Sequence, residues 1–543
     1  MLHRLLKLRS IPNHYGLPSR IALPAFSLVM TKDTPDLAGF SEAGTIPTAP
    51  GAPATPALIG AMSTWKVSLV FFLCAALMLV AHQGERMSYA YPALALLAGL
   101  WAYYKSPASY IVFTFLLFFL TPLVRRIADY QSSYRDPSPL LAAPLIVSFI
   151  CVLALPQMLG MMFSGKSRAL LPFGTAVLAV AYGVGIGFLK SHPSEILRPT
   201  LEWLSPLVLG AYCCLKSRDY DLIPLVARLC LGSILFMSVY GVIQFVAPFP
   251  WDIYWLQGFN STHFQPSFGV PERFGIRLFS TLNAPQTFAA LLAFTFPSIL
   301  ATRSTILSLI ATPLAMVALL LTQSRSQLLS VVLIFVVLLV VMRARILPRL
   351  GLLAGVLIVC ASLGSLSPEI VNKVSDRLDS FNNLKSDDSA ISRKLGMNLA
   401  LHMVVEEPFG QGIGFPDGPL FERSDLSTHY GVDTHDLGIV EVALSFGYLG
   451  GFLYIGGFVY ALFRMMGQLR TGSSDDTIIV VAIIASLGCM LTVNLFLGLP
   501  GIWLWCMIGM VLARRDKISA EAATAIDLPS QTAAPAIAPE CVV

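Results

Sequence analysis

The chain has 543 residues, of which 55% are hydrophobic and 12% are charged, and its formal net charge is +5. Soluble domains carry about 25% charged residues, so this composition excludes a soluble enzyme, a disordered scaffold and a nucleic-acid-binding protein. The apolar runs are continuous rather than alternating and about 20 residues long, which predicts membrane-spanning helices rather than a β-barrel.

Both ends of the chain differ in composition from its centre. Residues 1–64 begin with a basic stretch and become rich in Pro, Ala, Thr and Gly, which predicts a flexible cytoplasmic leader. Residues 516–543 resemble it and predict a flexible cytoplasmic tail. The segment between them, 65–515, is the predicted transmembrane domain.

Within that domain the sequence predicts an all-α polytopic membrane protein with about 12–14 transmembrane helices. We place roughly fourteen spans near 65–83, 89–104, 108–124, 139–160, 171–189, 199–215, 225–248, 284–301, 305–322, 327–342, 350–366, 437–463, 477–496 and 499–513.

Lysine and arginine in short loops predict the orientation, because these residues collect on the cytoplasmic side. We assign to that side Lys166, Arg168, Lys216, Arg218, Arg343, Arg345, Arg349, Arg464, Arg470, Arg514, Arg515 and Lys517. Both termini are then cytoplasmic, and the large loops near 249–283 and 367–436 are external. Arg125 and Arg126 are the one conflict, since they fall on the external side.

The second external loop is predicted to be partly ordered. Its stretch ISRKLGMNLALHMVV (391–405) spaces apolar residues as an amphipathic helix does, and such a helix would lie on the membrane or on the bundle. The stretch ends at Pro408 and a glycine-rich turn, GQGIG (410–414). We therefore expect chemistry or recognition on the external face.

Three arginines near this face are candidate ligands for an anionic group. Arg325 lies in LLLTQSRSQLL at the external boundary among Thr, Gln and Ser residues. It is either a snorkelling helix end or a phosphate ligand, because guanidinium binds phosphate through two hydrogen bonds. Arg277, before the span at 284, and Arg393, on the amphipathic stretch, are weaker candidates. For Arg393 the favoured interpretation is an ordinary solvated face of that helix.

A histidine with acidic neighbours precedes the span at 437. In GVDTHDLGIVEVALSFGYLGG, Asp433 and Asp436 flank His435, and Glu441 follows within the first turns of the span. Carboxylates can orient an imidazole as a general base, although a loop histidine is often uncommitted. An acidic residue inside a span is costly and is a functional candidate by default. A metal site is the weaker interpretation of this cluster.

The sequence has no P-loop, no GxGxxG after a strand, no HExxH and no serine elbow, so nucleotide chemistry has no predicted site. We expect no cofactor and no metal. A lipid pyrophosphate suits such a protein, because its leaving group supplies the driving force.

Four segments occur in an order that resembles the O-antigen ligase / polysaccharide polymerase superfamily, over about residues 270–455. They are RLFSTLNAPQTFAALL, LLLTQSRSQLL, SRKLGMNLALHMVVEEPFGQGIG and THDLGIVEVALSFGYLGG. The resemblance implies a GT-C-type membrane glycosyltransferase of the bacterial inner membrane. Such an enzyme uses undecaprenyl-diphosphate-linked glycans at a periplasmic active site, without metal or nucleotide.

The resemblance also implies residue roles. It associates Arg325 and Arg393 with the pyrophosphate and His435 with the base that activates the acceptor hydroxyl. Two departures from the family pattern bear on these roles. Asp436 stands where Asn, Ser or Gln is usual, and the following glycine, Gly447, lies one residue late. A carboxylate base at Asp436 is therefore an alternative, and a divergent polymerase is favoured over a lipid A-core ligase.

We expect an exopolysaccharide or O-antigen polymerase that extends a glycan on its lipid carrier. An O-antigen ligase or a protein O-oligosaccharyltransferase is the alternative, and differs only in the acceptor. A flippase or other transporter would show internal repeats and midplane charges, which the sequence lacks. Expected partners are the undecaprenyl-diphosphate-linked oligosaccharide, the lipid bilayer and, from the resemblance, polysaccharide chain-length and export proteins.

Overall fold

The computed structural model describes residues 57–165, 167–263, 268–301, 305–341, 394, 397–398, 401–415, 438–467, 474–491 and 493–527. Its helices, in chain order, are α1 (Ala57–Val80), α2 (Gly84–Lys105), α3 (Pro107–Gln131), α4 (Ala142–Phe149), α5 (Leu155–Phe163), α6 (Leu171–Lys190), α7 (Pro193–Lys216), α8 (Ile223–Val246), α9 (Pro250–His263), α10 (Pro285–Ala301), α11 (Thr305–Leu321), α12 (Arg325–Val341), α13 (Gly438–Met466), α14 (Ser474–Ser486) and α15 (Gly498–Asp527).

The described part of the chain is helical and apolar enough to cross a membrane several times. Five helical stretches have the length and composition of membrane spans, namely Pro107–Gln131, Pro139–Phe163, Arg168–Lys190, Ile223–Val246 and Gly438–Met466. Shorter apolar helices accompany them at Thr64–Val80, Ile310–Leu321, Arg325–Val340 and Asp476–Met490. The described residues form no strand and contain one isolated β-bridge, between Gly269 and Ile276. The chain is an all-α polytopic membrane protein, as predicted.

Most predicted spans that fall on described residues correspond to a helix with ends shifted by a few residues. Three features were not apparent in the sequence. The predicted external loop 249–283 contains α9, the helix α13 has a non-helical residue at Gly447, and α15 continues to Asp527. The predicted span 350–366 and most of the predicted leader and loop 367–436 lie outside the described residues.

The interior is held together by close helix packing around aromatic rings. α7 packs along α15, where a β-carbon on Gly509 would lie 2.2 Å from the Gly210 carbonyl oxygen. Small residues permit such approaches, which replace the missing hydrophobic driving force between helices in lipid. Trp203 packs edge-on against Tyr454 at 5.3 Å and so joins α7 to α13.

Basic and acidic side chains pair at one end of the bundle. Asp516 lies 2.7 Å from Arg464 and 3.5 Å from Arg218, and Arg514 lies 2.6 Å from the buried Asp476. The charge pattern assigns the three arginines to a single side of the membrane. We call this region the basic end.

The opposite end of the bundle carries the longer connections. α6 starts beside the basic end, where the Ala169 backbone N–H donates to Asp516 at 3.2 Å, and runs to Lys190 at the far end. Residues 408–414 contact this far end of α6. The connection after α8 and the turn between α11 and α12 also meet there, through a bond from the Leu278 N–H to the Leu321 carbonyl. We call this region the loop end.

Arg125 and Arg126, the conflict in the charge pattern, are buried near the loop end of α3. Arg125 Nε lies 3.2 Å from Asp129, and Arg126 Nε lies 3.3 Å from Asp252. The positive-inside rule counts Lys and Arg in loops. Arginines paired inside the fold do not report orientation, so their use as loop charges was wrong and the conflict disappears.

Candidate functional site

The first turn of α12 at the loop end has the features of an anion site. Arg325 is its first residue, and the Ser324 side chain before it is 5% exposed. Among the described residues, no group hydrogen-bonds the Ser324 hydroxyl. Gln323 in the same turn has a φ of 58°, a left-handed conformation that is costly for a side chain other than glycine. Strain of this kind collects at binding sites, and helix N-termini attract anions.

A buried non-helical segment, residues 276–283, packs beside this turn and brings Arg277 to it. The Leu278 N–H donates to the Leu321 carbonyl at 3.2 Å, and the Arg277 guanidinium Nε donates to the Thr322 carbonyl at 3.4 Å. We call residues 276–283 the strip. The structure thus brings together two of the predicted arginines, Arg277 and Arg325, from segments about 45 residues apart.

The strip is irregular backbone in the interior, so its polar groups need partners from neighbouring helices. Gln244 of α8 accepts from the Ser280 N–H at 2.9 Å through its side-chain oxygen. Arg126 of α3 donates to the carbonyls of Ser280 and Leu282 at 2.5 and 3.3 Å. Sequence reasoning missed both side chains. The one available signal was that both are polar side chains within apolar, membrane-spanning helices.

Glu441, a predicted catalytic residue, is 2% exposed in the first turns of α13. Asn494 donates to its carboxylate from the side-chain nitrogen at 2.6 Å, and the Asn494 side-chain oxygen accepts from the Phe496 N–H at 2.8 Å. Asn494 lies in the non-helical link between α14 and α15, and no pattern in the sequence distinguishes it from its neighbours. The pair joins two interrupted segments at the loop end.

The same link approaches α12. Cys489, in the short 3-10 helix Leu487–Leu491 before the link, lies 2.9 Å, sulfur to oxygen, from the hydroxyl of Ser330, which is little more than one turn beyond Arg325. Cys489 thus contacts the helix that begins with Arg325, and Asn494, five residues later, contacts the start of the helix that carries Glu441. The structure places these two predicted site residues in the same region of the fold.

The glycine-rich turn 410–414 inserts between α6 and a break in α13. At Gly447, where φ is 59°, the helical hydrogen bonds of α13 stop. The N–H groups of Gln411 and Gly412 donate instead to the freed carbonyls of Leu444 and Ser445, at 2.7 and 3.1 Å. Non-helical backbone at membrane depth is stable only with such replacement partners. The insertion therefore fixes residues 410–414 of the predicted external loop against the bundle.

The helix predicted on this loop is present in part. Residues 401–406 are helical, and Val404 is buried against Val440 and Leu444 of α13. Val404 and, in part, Met403 thus pack on the bundle, one of the two predicted possibilities, whereas Leu401 and Val405 are exposed. Lys190 at the end of α6 pairs with Glu407 just after it.

Three predicted site residues, Arg393, His435 and Asp436, lie outside the described residues. Their nearest described neighbours are the helical residues 394 and 438. The described residues include no group of three or more His, Cys, Asp or Glu side chains arranged to hold a metal ion.

Comparison with known proteins identifies the region that contains these features. Residues 288–455 match the family model described as O-antigen ligase. No curated protein and no solved structure matches the chain. The matched region includes the first turn of α12, the inserted turn 410–414, Glu441 and the break at Gly447, whereas Arg277 precedes it. Members of this family are glycosyltransferase-like ligases and polymerases. Residues 288–455 are accordingly a domain of the O-antigen ligase / polysaccharide polymerase superfamily.

Proposed function

We propose that this protein polymerises oligosaccharide repeat units carried on undecaprenyl diphosphate, at the periplasmic face of the bacterial inner membrane. The observation that carries the proposal is the first turn of α12, where Arg325, a helix N-terminus and a buried Ser324 hydroxyl without a hydrogen-bond partner among the described residues adjoin Arg277 of the strip. A diphosphate needs this combination of fixed positive charge and hydrogen-bond donors.

The reaction follows from the chemistry of a glycosyl diphosphate. A hydroxyl oxygen of the acceptor sugar attacks the anomeric carbon of the donor, a C–O bond forms, and the bond from that carbon to the diphosphate oxygen breaks. The lipid diphosphate leaves with the electron pair, so negative charge develops on the leaving oxygen. Arg325 and Arg277 would stabilise that charge most strongly in the transition state, which is the condition for a rate acceleration.

The acceptor proton needs a base near the start of α13. His435 and Asp436 are the first candidates and precede that start by two or three residues. Glu441 is the described carboxylate closest to them in sequence, and Asn494 fixes one of its oxygens at 2.6 Å. We propose that His435 or Asp436 removes the proton. Glu441, in the first turns of α13, would orient this base or raise its basicity.

An O-antigen ligase or a protein O-oligosaccharyltransferase would use the same donor site and differ in its acceptor. A flippase would move the same lipid without breaking the glycosidic bond. Arg277 and Arg325 lie together at the loop end rather than near the middle of the bundle, which favours group transfer over transport, since the binding sites of transporters lie near the bilayer midplane.

The test uses purified full-length protein in detergent with a lipid-diphosphate-linked repeat unit and no added nucleotide. We expect a ladder of lengthening glycan on a gel. The Arg325→Ala and Arg277→Ala variants should lose the ladder, whereas Arg198→Ala, which removes an exposed arginine of α7, should keep it. Retention of the ladder in both site variants would contradict the proposed donor site.

The acceptor decides between the related activities. Transfer that requires a lipid A-core acceptor would indicate a ligase, and transfer that requires a protein acceptor would indicate an O-oligosaccharyltransferase. No transfer to any acceptor, together with lipid movement across liposome membranes, would reject the glycosyltransferase proposal in favour of a flippase.

A further inference from the structure

Arg126 is a fully buried charge at the loop end. It lies near the end of α3 with 0% exposure, and its partner Asp252, in the first turn of α9, is also 0% exposed. The guanidinium carbon lies 4.8 Å from the centre of the Phe279 ring. Asp252 also accepts from the Tyr240 hydroxyl at 2.8 Å.

A buried ion pair contributes little net free energy to folding. Removing two charges from water is costly, and a pair of apolar side chains of similar volume is often as stable. A charged residue buried within a membrane-spanning helix is a functional candidate for this reason. An apolar residue at this position could not make hydrogen bonds.

Arg126 makes two further hydrogen bonds, to the backbone of the strip. Arg126 donates to the carbonyls of Ser280 and Leu282, while Gln244 of α8 binds the Ser280 N–H from the other side. The strip is therefore clamped between α3 and α8 by side-chain donors and acceptors. An apolar side chain at position 126 would leave the Leu282 carbonyl without this donor and the Ser280 carbonyl with only the 3.4 Å bond from the Gln244 side-chain nitrogen.

The clamped residues lead directly to the candidate donor site. Leu278, two residues before Ser280, donates a backbone hydrogen bond to Leu321. Arg277 contacts Thr322 just before α12 begins. A shift of the strip would move Arg277 relative to Arg325. Because Asp252 belongs to α9, the same guanidinium also ties the external helix α9 to the strip.

We infer that Arg126 is a positioning residue, which holds the strip so that Arg277 stays beside the first turn of α12 and thereby sets the geometry of diphosphate binding. This inference rests on the proposed function for its effect on transfer. The clamp itself is a property of the fold and can be measured without any substrate.

The experiment separates positioning from stability by neutralising the buried pair. In the double variant Arg126→Met with Asp252→Asn, no buried charge remains unpaired, and an amide oxygen still accepts from Tyr240. The matched control is Arg125→Met with Asp129→Asn, which neutralises the neighbouring buried pair of α3 that does not contact the strip. Both variants are purified as full chains and compared with the wild type.

The first readout is hydrogen exchange of peptides that cover the strip and the turn 321–325. We expect the Arg126 variant to exchange faster there by at least about tenfold, with unchanged exchange in α7 and α15, and the control to leave the strip unchanged. Unchanged exchange of the strip in the Arg126 variant would overturn the inference, whether or not the wild type transfers glycan.

The second readout is steady-state transfer from the lipid-linked donor. The Arg126 variant should lose on the order of 10²-fold in kcat/KM, mainly through a higher KM for the donor, because small displacements of binding groups are costly. A faster-exchanging strip with wild-type KM and kcat would overturn the positioning role. Absence of transfer in the wild type would instead reject the proposed function and leave the clamp to be judged by exchange alone.

Arg126→Lys keeps the test decisive if the double variant does not fold. Lysine retains the charge opposite Asp252 but lacks the planar fork that reaches two carbonyls and a carboxylate together. Faster exchange confined to the strip is expected again, and wild-type exchange in this variant would overturn the inference.

Discussion

The side-chain amide of Asn494 donates a 2.6 Å hydrogen bond to the Glu441 carboxylate and so joins the start of α13 to the link between α14 and α15. Both residues are buried, with exposures of 6% and 2%. The bond holds a carboxylate in a fixed orientation inside the bundle, close in the chain to the predicted base. This arrangement allows the structural and chemical roles of Glu441 to be separated.

Glu441→Gln should preserve the fold and lower the rate of transfer. Glutamine retains an oxygen that can accept from Asn494, so the free energy of unfolding should change by less than about 1.5 kcal/mol. The negative charge is lost, and we expect kcat to fall on the order of 10²-fold if Glu441 supports the base. Thermal unfolding in detergent and the transfer assay measure the two effects, and wild-type kcat would exclude a chemical role for the charge.

Asn494→Leu should show the reverse balance. It removes one donor from a buried carboxylate, which typically costs about 1–3 kcal/mol, so the Tm should fall clearly. Its partner variant Glu441→Gln serves as the comparison. A Tm lowered as much by Glu441→Gln as by Asn494→Leu would indicate that the pair matters only for stability.

Arg325 should not be replaceable by lysine. Hydrogen bonds to charged groups contribute about 1.5–3 kcal/mol each, so loss of a two-bond contact in Arg325→Ala should lower kcat/KM by at least about 10²-fold. Arg325→Lys should recover no more than about tenfold of this, since lysine is a point charge without the bidentate fork. Equal activity of the lysine variant and the wild type would show that position 325 supplies charge alone.

Gly447 should be indispensable for folding, unlike Gly456 in the same helix. At Gly447 φ is 59°, and a β-carbon would lie 2.4 Å from the backbone nitrogen of Gly410 in the inserted turn. Gly447→Ala should therefore destabilise the protein by at least about 2 kcal/mol.

A β-carbon at Gly456 meets nothing within 4 Å, so Gly456→Ala should be neutral or stabilising by up to about 1 kcal/mol. Size-exclusion profiles and Tm of the two variants provide the comparison. Equal behaviour of the two variants would argue against the insertion of 410–414 into the break of α13.

His435 and Asp436 can be ranked as bases by a pair of conservative tests. If the imidazole takes the proton, His435→Ala should lower kcat by 10²–10⁴-fold, the usual range for removal of a general base, and Asp436→Asn should cost less than about tenfold. The opposite ranking would assign the base to Asp436, the alternative suggested by the departure from the family pattern. Equal binding of the donor by both variants, measured as KM, would confirm that the loss lies in the chemical step.

Local patterns in the sequence were sufficient for the fold class and the family. Continuous apolar runs predicted the helices because burial in lipid requires every backbone group to be satisfied within its own segment. The Arg325 turn was recognisable because a polar cluster between two apolar runs is conspicuous, and Glu441 because an acid within a span is rare. The roles of these residues, and of Arg393, His435 and Asp436, stay predictions.

The residues that hold the candidate site in place through hydrogen bonds could not be predicted in this way. Arg126 was interpreted as a loop charge, whereas it binds Ser280 and Leu282, more than 150 positions later in the chain. Gln244 and Asn494 each occur alone, with no pattern around them. Hydropathy indicates that a side chain is buried but does not indicate which distant segment will supply its hydrogen-bond partner.

The sequence by itself determined that the chain crosses the membrane as helices, and that an O-antigen ligase domain carries arginines and acids between its spans. The tertiary structure alone decided that Arg277 adjoins the Arg325 turn and that Asn494 binds Glu441. It also decided that the turn 410–414 supplies the hydrogen bonds that are missing at the break of α13. The physical reason is the distance along the chain over which the two kinds of interaction act. Helix formation depends on neighbours within one or two turns, whereas irregular backbone inside a membrane protein is stable only when remote side chains and loops satisfy its hydrogen bonds.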